Sequence, residues 1–146
     1  MIFSKSFGYA LRGVLYVARE TRSGKKVSLD EIAGHLRIPR YFLAKILVRV
    51  AKAGIIDSSK GPSGGFFVNN KTLGTQLLTI VLLTEGTDQF KLCVLQLRKC
   101  NARKPCPLHH QMEKVKNQLL ELFSVTTIGD LLKRDDPDFI NSLAIN

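Results

Sequence analysis

The feature that most constrains the fold is a pair of helix-forming segments that lie close together between residues 28 and 54. Ser28 is followed three residues later by Glu31, which is the capping box that starts a helix. Pro39 suits the first position of a second helix, and Gly54 suits the position just after its last turn. Only a short turn is left between the two segments. The spacing therefore predicts two short helices that pack against each other.

Apolar residues recur at the three- and four-residue steps of an amphipathic helix in both segments and in an earlier one, residues 4–20. We expect Ser4 or Ser6 to cap that first helix. The second helix, Leu29 to Leu36, places its apolar side chains on one face, and the third runs to about Ala53. The predicted buried stripe of the third helix consists of Phe42, Ile46, Leu47 and Val50.

A glycine- and proline-rich run, residues 61–65, follows the helix pair. Residues 55–58 and 66–68 can pair as strands with this run as their turn. Alone, the run is most simply a hairpin loop. A hairpin directly after a short helix, a three-residue turn and a more basic helix is typical of a winged helix-turn-helix, with the hairpin as the wing. The sequence therefore predicts a mainly α fold with a small β-hairpin wing.

The positive charge of the chain is concentrated in its N-terminal half. Of a net charge of +10, residues 1–70 hold +8, from twelve basic and four acidic side chains. Such a field attracts anionic partners, and double-stranded DNA fits a helix pair followed by a hairpin. The sequence contains no nucleotide-binding glycine motif, no Ser/His/Asp arrangement and no paired carboxylate site, so we do not expect an enzyme.

The sequence also predicts where the protein works. Its longest apolar run, residues 77–83, is far shorter than the roughly 20 residues that cross a bilayer. The three cysteines are an odd number, which argues against a secreted framework of disulfides. We therefore expect no membrane partner and a cytoplasmic location.

All three cysteines and two of the three histidines fall within residues 93–110, called the cysteine stretch below. The candidate ligands are Cys93, Cys100, Cys106 and His109. Three interpretations are open: unconnected thiols, a structural zinc site and an iron–sulfur cluster. The polar surroundings of Cys100 and Cys106 argue against buried thiols, and structural zinc usually has cysteine pairs two to four residues apart. A cluster tolerates irregular spacing because its ligands bind different irons, so the pattern favours a cluster.

The choice of histidine depends on where the next helix begins. If Pro107 is its first residue, Cys106 is the N-cap and His109 lies three residues on, so the helix turn brings the two side chains to one side. His110 is rotated by about 100° around the axis. We therefore prefer His109 as the fourth ligand.

Three further helices are predicted, over residues 72–84, from Pro107 to about Ser124, and over residues 128–132. The long one carries a heptad-like seam. The seam consists of Leu108, Met112, Val115, Leu119 and Leu122. Such a stripe is more often internal core, but in a chain this small it predicts a homodimer, and residues 134–138 are expected to be exposed. We divide the chain into a DNA-binding region (1–86), a cluster-binding loop (87–106) and a dimerisation region (107–146).

Three pieces of this sequence, Ile32-Ala33, residues 38–47 and residues 61–66, resemble the helix-turn-helix and wing of the bacterial regulators that include IscR, NsrR, RirA and CymR. The resemblance covers nearly the whole chain, and the glycine-rich wing is its most specific part. It implies transcription regulation, a homodimer that pairs through the long helix, and, for IscR-like members, a 2Fe–2S cluster held by three cysteines and a histidine. In those members the histidine follows the last cysteine after two residues, as His109 follows Cys106.

Three positions depart from the patterns that the resemblance implies. NsrR-like members, which hold a 4Fe–4S cluster and respond to nitric oxide, can use an acidic residue where Gly8 stands here. The six residues between Cys93 and Cys100 exceed the five or fewer that are common, which leaves the cluster type open. IscR-like members often carry an acid at the position of Ala44, so the target sequence is expected to differ.

The third helix is expected to be the recognition helix. Arg40 lies in its first turn, which enters the major groove, and a guanidinium matches the O6 and N7 atoms of guanine. The expected phosphate contacts are Tyr41, Lys45, Arg37 and Arg49, and the expected wing contacts are Lys60, Ser63 and Gly64. A two-fold dimer predicts a pseudo-palindromic operator.

The sequence thus predicts a DNA-binding regulator whose operator affinity is set by an iron–sulfur cluster that senses iron or redox status. Loss or oxidation of the cluster is expected to reorder residues 88–106 and so change the placement of the two recognition helices. A nitric-oxide sensor with a 4Fe–4S cluster, and a cluster-free regulator gated by thiols or a partner, are the alternatives.

Overall fold

The computed structural model describes residues 3–95, 101–133, 139 and 142–143, and these form six α-helices and one antiparallel hairpin. The helices are α1 (Lys5–Glu20), α2 (Leu29–Leu36), α3 (Arg40–Lys52), α4 (Leu77–Glu85), α5 (His109–Val125) and α6 (Ile128–Lys133). The strands are β1 (Asp57–Ser59) and β2 (Gly65–Phe67), and a 3₁₀ turn covers Gln89–Lys91. The predicted mainly α fold with a hairpin wing is confirmed.

Local capping places the first three helices almost where the sequence predicts them. The Ser4 hydroxyl accepts a hydrogen bond from the Phe7 amide, and the Ser28 hydroxyl accepts one from the Glu31 amide at 3.1 Å. Gly54 has a φ of 77°, the left-handed conformation that ends a helix. Pro39 is the N-cap of α3 rather than its first helical residue, a shift of one position from the prediction.

Helix α1 is the centre of the core. Its buried face packs against α3, α4, α2 and α6. Tyr16 also links α1 to α2, because its hydroxyl donates to a Glu31 carboxylate oxygen at 3.3 Å. Burial, followed by the nearby carboxylates, raises the pKa of Tyr16 to about 12, so the donor proton is retained at neutral pH.

The predicted stripe of α3 is wrong at one position. Leu43 is fully buried together with Leu47 and Val50, whereas 55% of Phe42 is exposed. Neighbouring residues of a helix point about 100° apart, and only the direction of α1 decides which of the two apolar residues enters the core. Gly13 allows α1 to pack closely here, since a Cβ there would lie 3.0 Å from the Leu47 side chain.

The hairpin pairs Asp57 with Phe67 and Ser59 with Gly65, so the first strand begins two residues after its predicted start and the other strand limits differ by one residue. Ile55 and Ile56, predicted in the first strand, are instead buried in the core just before it. Val27 adds a short third segment, because its backbone exchanges two hydrogen bonds with Phe66 at 3.0 and 2.7 Å. The wing is therefore attached directly to Val27, the residue before the N-cap of α2.

The turn of the hairpin requires glycine for packing reasons. A Cβ at Gly64 would lie 2.3 Å from the backbone oxygen of Ser59, and one at Gly65 would lie 2.5 Å from that of Val27. We predict that Gly64→Ala destabilises the protein by about 1–3 kcal/mol, the usual cost of overpacking. Urea unfolding measures the change.

Gly34→Ala is the matched control for this substitution. Gly34 is exposed within α2, and nothing lies within 4 Å of an added Cβ. The control should be neutral or stabilising by up to about 1 kcal/mol, because alanine is the better helix former. Equal destabilisation by both substitutions would show that the close contact at Gly64 is not the cause.

Helices α4 and α5 begin after the predicted positions, whereas α6 begins at Ile128 as predicted. Helix α4 starts at Leu77, because the Thr72 side chain is fully buried and its hydroxyl donates to the Ile55 carbonyl at 2.7 Å, within a turn. Helix α5 starts at His109, two residues after Pro107. Residues 134–138, predicted to be exposed, lie outside the described residues. Among the helices in the described part of the chain, none is long and apolar enough to cross a membrane.

Candidate functional site

The turn between α2 and α3 orients the start of the recognition helix. Arg37 ends α2 with a φ of 54°, and the amide of Ile38 returns to the Ala33 carbonyl at 3.1 Å. Ile38 is 3% exposed and anchors the turn in the core. Arg40 and Tyr41 therefore open α3 from a fixed position, with both side chains in solvent.

Arg40 has a partner that sequence reasoning missed. Its Nε donates to Asp30 Oδ1 of α2 at 2.5 Å, and both side chains are exposed. An exposed pair of this kind contributes at most about 1 kcal/mol, so it holds the guanidinium without preventing another contact. Asp30 lies in the first turn of α2, where acidic residues are common in any helix. Its place in the sequence therefore did not indicate that it pairs with Arg40.

The other predicted phosphate contacts of α3 divide into two groups. Lys45 is exposed, and its ammonium lies 4.3 Å from the centre of the Tyr41 ring, which is 65% exposed. Arg49 is turned toward α4, where its guanidinium donates to the Leu83 carbonyl. Lys45 and Arg49 border a cleft of about 460 Å³ between α3 and the start of α1, where Lys5 adds a third cation.

In the wing, Lys60 and Ser63 are exposed and Gly64 is half-buried. The close approach between Gly64 and Ser59 gives that glycine a packing role within the hairpin. A DNA contact is therefore not needed to explain it.

The structure places two of the three cysteines. Cys93 is 7% exposed, Cys106 is half-buried, and Cys100 lies outside the described residues. The predicted helical link between Cys106 and His109 is wrong in its register, since Leu108 is the N-cap of α5 and His109 its first residue. A turn brings the two residues together instead, with the His109 amide donating to the Cys106 carbonyl at 2.9 Å.

Burial separates the two histidines. His109 is 5% exposed and is the buried residue of α5, whereas His110 is on the surface. His109 lines a cleft of about 270 Å³ together with Phe90, Lys91, Ala102 and Glu113, and neither Cys93 nor Cys106 is among the lining residues. Lys116, two helical turns after His109, donates to the carbonyl of Leu92, the residue before Cys93.

These residues fit a soft metal centre. Thiols and an imidazole are the donors that iron–sulfur clusters and zinc take, and the cleft is bordered by the cations Lys91 and Lys116. Positive side chains offset the negative charge of thiolates. Cys93, Cys106 and His109 could hold such a group together with a ligand from outside the described residues.

The predicted seam of α5 is largely exposed. The exposed fractions are 44% for Leu108, 49% for Val115, 54% for Leu122 and 67% for the neighbouring Val125. Other residues of the helix face the protein, where Phe123 stacks on Phe3 and Phe7 with ring centres 5.3 and 5.9 Å apart. The exposed apolar side of α5 is therefore not internal core in this chain.

Comparison with known proteins agrees with this geometry. Residues 3–134 match the model of the Rrf2 family, described as an iron-dependent transcriptional regulator. A protein of Aquifex aeolicus that is named as a helix-turn-helix-type transcriptional regulator is 36% identical over 138 residues, which are 93% of this chain and 94% of that protein.

Two solved structures share the fold. CymR, the global cysteine regulator of B. subtilis, has a TM-score of 0.76 at 18% identity, and the match covers 92% of this chain and 98% of CymR. IscR of T. potens has a TM-score of 0.70 at 20% identity, with 93% and 89% covered. At these identities the likeness concerns the fold alone.

Proposed function

We propose that this chain, which belongs to the Rrf2 family of transcriptional regulators, binds a pseudo-palindromic operator as a homodimer and adjusts its affinity through an iron–sulfur cluster. The family is one of DNA-binding regulators and not of enzymes, and the chain is a DNA-binding transcriptional regulator. A regulator of transcription works beside the chromosome, so the proposal includes a cytoplasmic location.

DNA binding is assigned to residues 1–86. Arg40 is proposed to read a guanine, and Tyr41, Lys45 and Arg37 to contact phosphates, because all four side chains are exposed around the start of α3. The wing contributes Lys60, Ser63 and the Gly64 backbone. Arg49 is the weakest of the proposed contacts, since it already donates to the Leu83 carbonyl.

Arg40→Ala is predicted to weaken binding to the operator by about 1–3 kcal/mol, roughly 5- to 150-fold, the usual worth of a bidentate guanine contact. Binding to unrelated DNA should change much less. Fluorescence anisotropy with both DNAs measures the two affinities. Arg22→Ala, which removes an equal charge from the exposed turn after α1, is the control and should leave the ratio of the affinities unchanged. Equal losses on both DNAs would show that Arg40 contacts only phosphates.

Dimerisation is assigned to residues 107–146. The observation that supports it is the apolar side of α5, where Val115, Leu122 and Val125 are each about half exposed or more. A second copy of the same helix would cover this side through a two-fold axis and place two recognition helices on one duplex.

The cluster is assigned to Cys93, Cys100, Cys106 and His109, with 2Fe–2S favoured and 4Fe–4S as the alternative. The observation that supports this assignment is the burial of His109 directly after the turn from Cys106, in a cleft that Phe90 and Lys91, shortly before Cys93, also line. Nitric oxide is the alternative signal to iron or redox status.

The coupling is proposed to run through the loop of residues 87–106, between the DNA-binding region and α5. One side of this loop is held by the bond from Lys116 to the Leu92 carbonyl, and the other by the turn from Cys106 to His109. A bound cluster would tie both sides together. When its ligands release it, the loop is expected to rearrange and to shift the relative placement of the two recognition helices.

A cluster-free regulator gated by a thiol or a partner is the second candidate. It is supported by the half-buried Cys106, which solvent can reach, and by the fold shared with a protein named for cysteine regulation. The wild-type chain, purified without oxygen, distinguishes the candidates through its absorption spectrum and its iron and sulfide content. About two iron and two sulfide ions per chain support a 2Fe–2S cluster, and about four of each per chain support a 4Fe–4S cluster. If the chain contains neither iron nor sulfide and its operator binding depends on thiol oxidation, the proposal of a cluster is wrong.

A further inference from the structure

The first turn of α5 carries a group of metal-binding side chains that contains no cysteine. The ligand atoms of His109, His110 and Glu113 all lie within 4.8 Å of one another. His109 Nε2 is 4.0 Å from a Glu113 carboxylate oxygen, and the two imidazole rings are nearly perpendicular, with centres 5.3 Å apart. Two imidazoles and one carboxylate are therefore already directed at a common volume.

We propose that this group binds one divalent cation of the zinc type, at a site separate from the thiol ligands. Two histidines and a glutamate form a known donor set for Zn²⁺, with water in the fourth position. The spacing of His109 and Glu113, four residues apart, puts both side chains on one face of the helix. His110 reaches the same volume from the adjacent face.

The geometry requires only a small contraction. Zinc holds nitrogen and oxygen ligands at about 2.0–2.2 Å, so ligand atoms around a tetrahedron lie roughly 3.3 Å apart. His109 is buried and fixed in the wall of the cleft, whereas His110 and Glu113 are exposed and can turn toward it. The fixed imidazole would orient the ion, and the two mobile side chains would close around it.

The surrounding charges permit a cation. Lys91 and Lys116 also line the cleft, but Lys116 donates to the Leu92 carbonyl and Lys91 lies 3.6 Å from an Asp88 carboxylate oxygen. The start of a helix disfavours a cation, and the Glu113 carboxylate offsets that effect at the point of binding. The site therefore has one negative ligand and two cations held by other partners.

One consequence rests on the proposed function. Because His109 is also assigned to the cluster, a chain that holds the divalent ion through this histidine cannot hold the complete cluster at the same time. The site itself does not depend on that assignment, since neither His110 nor Glu113 belongs to the cluster ligands.

Titration calorimetry with Zn²⁺ tests the site in a variant whose three cysteines are replaced by alanine. We expect one ion per chain. His110→Ala and Glu113→Gln in that background should each weaken binding by roughly tenfold or more, since even the outer partners of metal ligands change affinity by that factor. Glu121→Gln, an exposed carboxylate further along α5, is the matched control and should have no effect.

A second measurement avoids the risk that the cysteine-free variant does not fold, because Cys93 is buried. The wild-type chain without cluster is titrated with Co²⁺, whose visible spectrum reports nitrogen and oxygen ligands and whose near-ultraviolet bands report thiolates. Visible bands that disappear in His110→Ala, without thiolate bands, support the site. Visible bands that His110→Ala leaves unchanged, or Zn²⁺ binding that both substitutions leave intact, would overturn it. Iron and sulfide content in the two surface variants stays at the wild-type level, so failure of this site leaves the cluster assignment unaffected.

Discussion

Leu122→Glu is expected to make the protein monomeric and to lower its affinity for a two-fold operator by roughly 10²-fold or more, the range by which two joined binding modules exceed one. Leu122 is 54% exposed on the apolar side of α5, near Val115 and Val125. In a two-fold interface the same residue occurs twice near the axis, so one substitution places two carboxylates in an apolar contact. Each carboxylate would lose its hydration in this contact, and the burial of a charge without a pair is costly.

Sedimentation equilibrium measures the mass of the variant, and anisotropy with full and half operators measures its affinity. Asn117→Glu is the matched control, because it adds the same charge to an exposed position of α5 that points about 140° away from Leu122. The control should remain dimeric. A dimeric Leu122→Glu variant with normal operator affinity would show that another surface joins the two copies.

The parts of the fold that the sequence predicted depend on local chemistry. Serine caps at Ser4 and Ser28 and the glycine at position 54 act within a few residues, so their effect can be read without knowing what packs nearby. The hairpin was predictable for the same reason, since Gly64 is required by its contact with Ser59 within the hairpin.

The wrong predictions concern choices that tertiary packing makes. Phe42 and Leu43 are adjacent and apolar, and the contact with α1 decides that Leu43 is buried. Leu73 lies four residues before Leu77 and so extends the helical spacing, but the buried Thr72 hydroxyl donates to the Ile55 carbonyl and keeps this segment a turn. Pro107 looked like a helix start, although the chain makes one further turn from Cys106 before α5 begins.

The candidate site was predictable in its residues but less in its arrangement. The spacing of Cys106 and His109 identified both residues as candidate ligands. The structure adds that His109 is buried while His110 is exposed. The pairing of Arg40 with Asp30 depends on how α2 crosses α3, which no sequence pattern specifies. Glu113 had a signal, four residues after His109 on a helix, that could have been recognised.

Replacing His109 is expected to have the second large effect, loss of nearly all cluster, whereas replacing His110 is expected to leave it intact. The reason is position: the His109 side chain is buried in the cleft next to the turn from Cys106, and the His110 side chain is in solvent. A cluster with one ligand missing is exposed to water and oxygen, so His109→Ala should contain little iron or sulfide after anaerobic purification. His110→Ala should match the wild-type content.

A buried histidine can also matter for packing alone, and His109→Cys separates the two roles. A thiolate can replace imidazole as an iron ligand, as it does in clusters held by four cysteines. His109→Cys is therefore expected to keep a cluster with an altered spectrum and a lower reduction potential, while His109→Ala loses it. Circular dichroism and thermal unfolding of all three variants check that the helices are retained. If His109→Ala holds the wild-type amount of cluster with an unchanged spectrum, His109 is not a ligand and the fourth donor must come from another residue or from the partner chain.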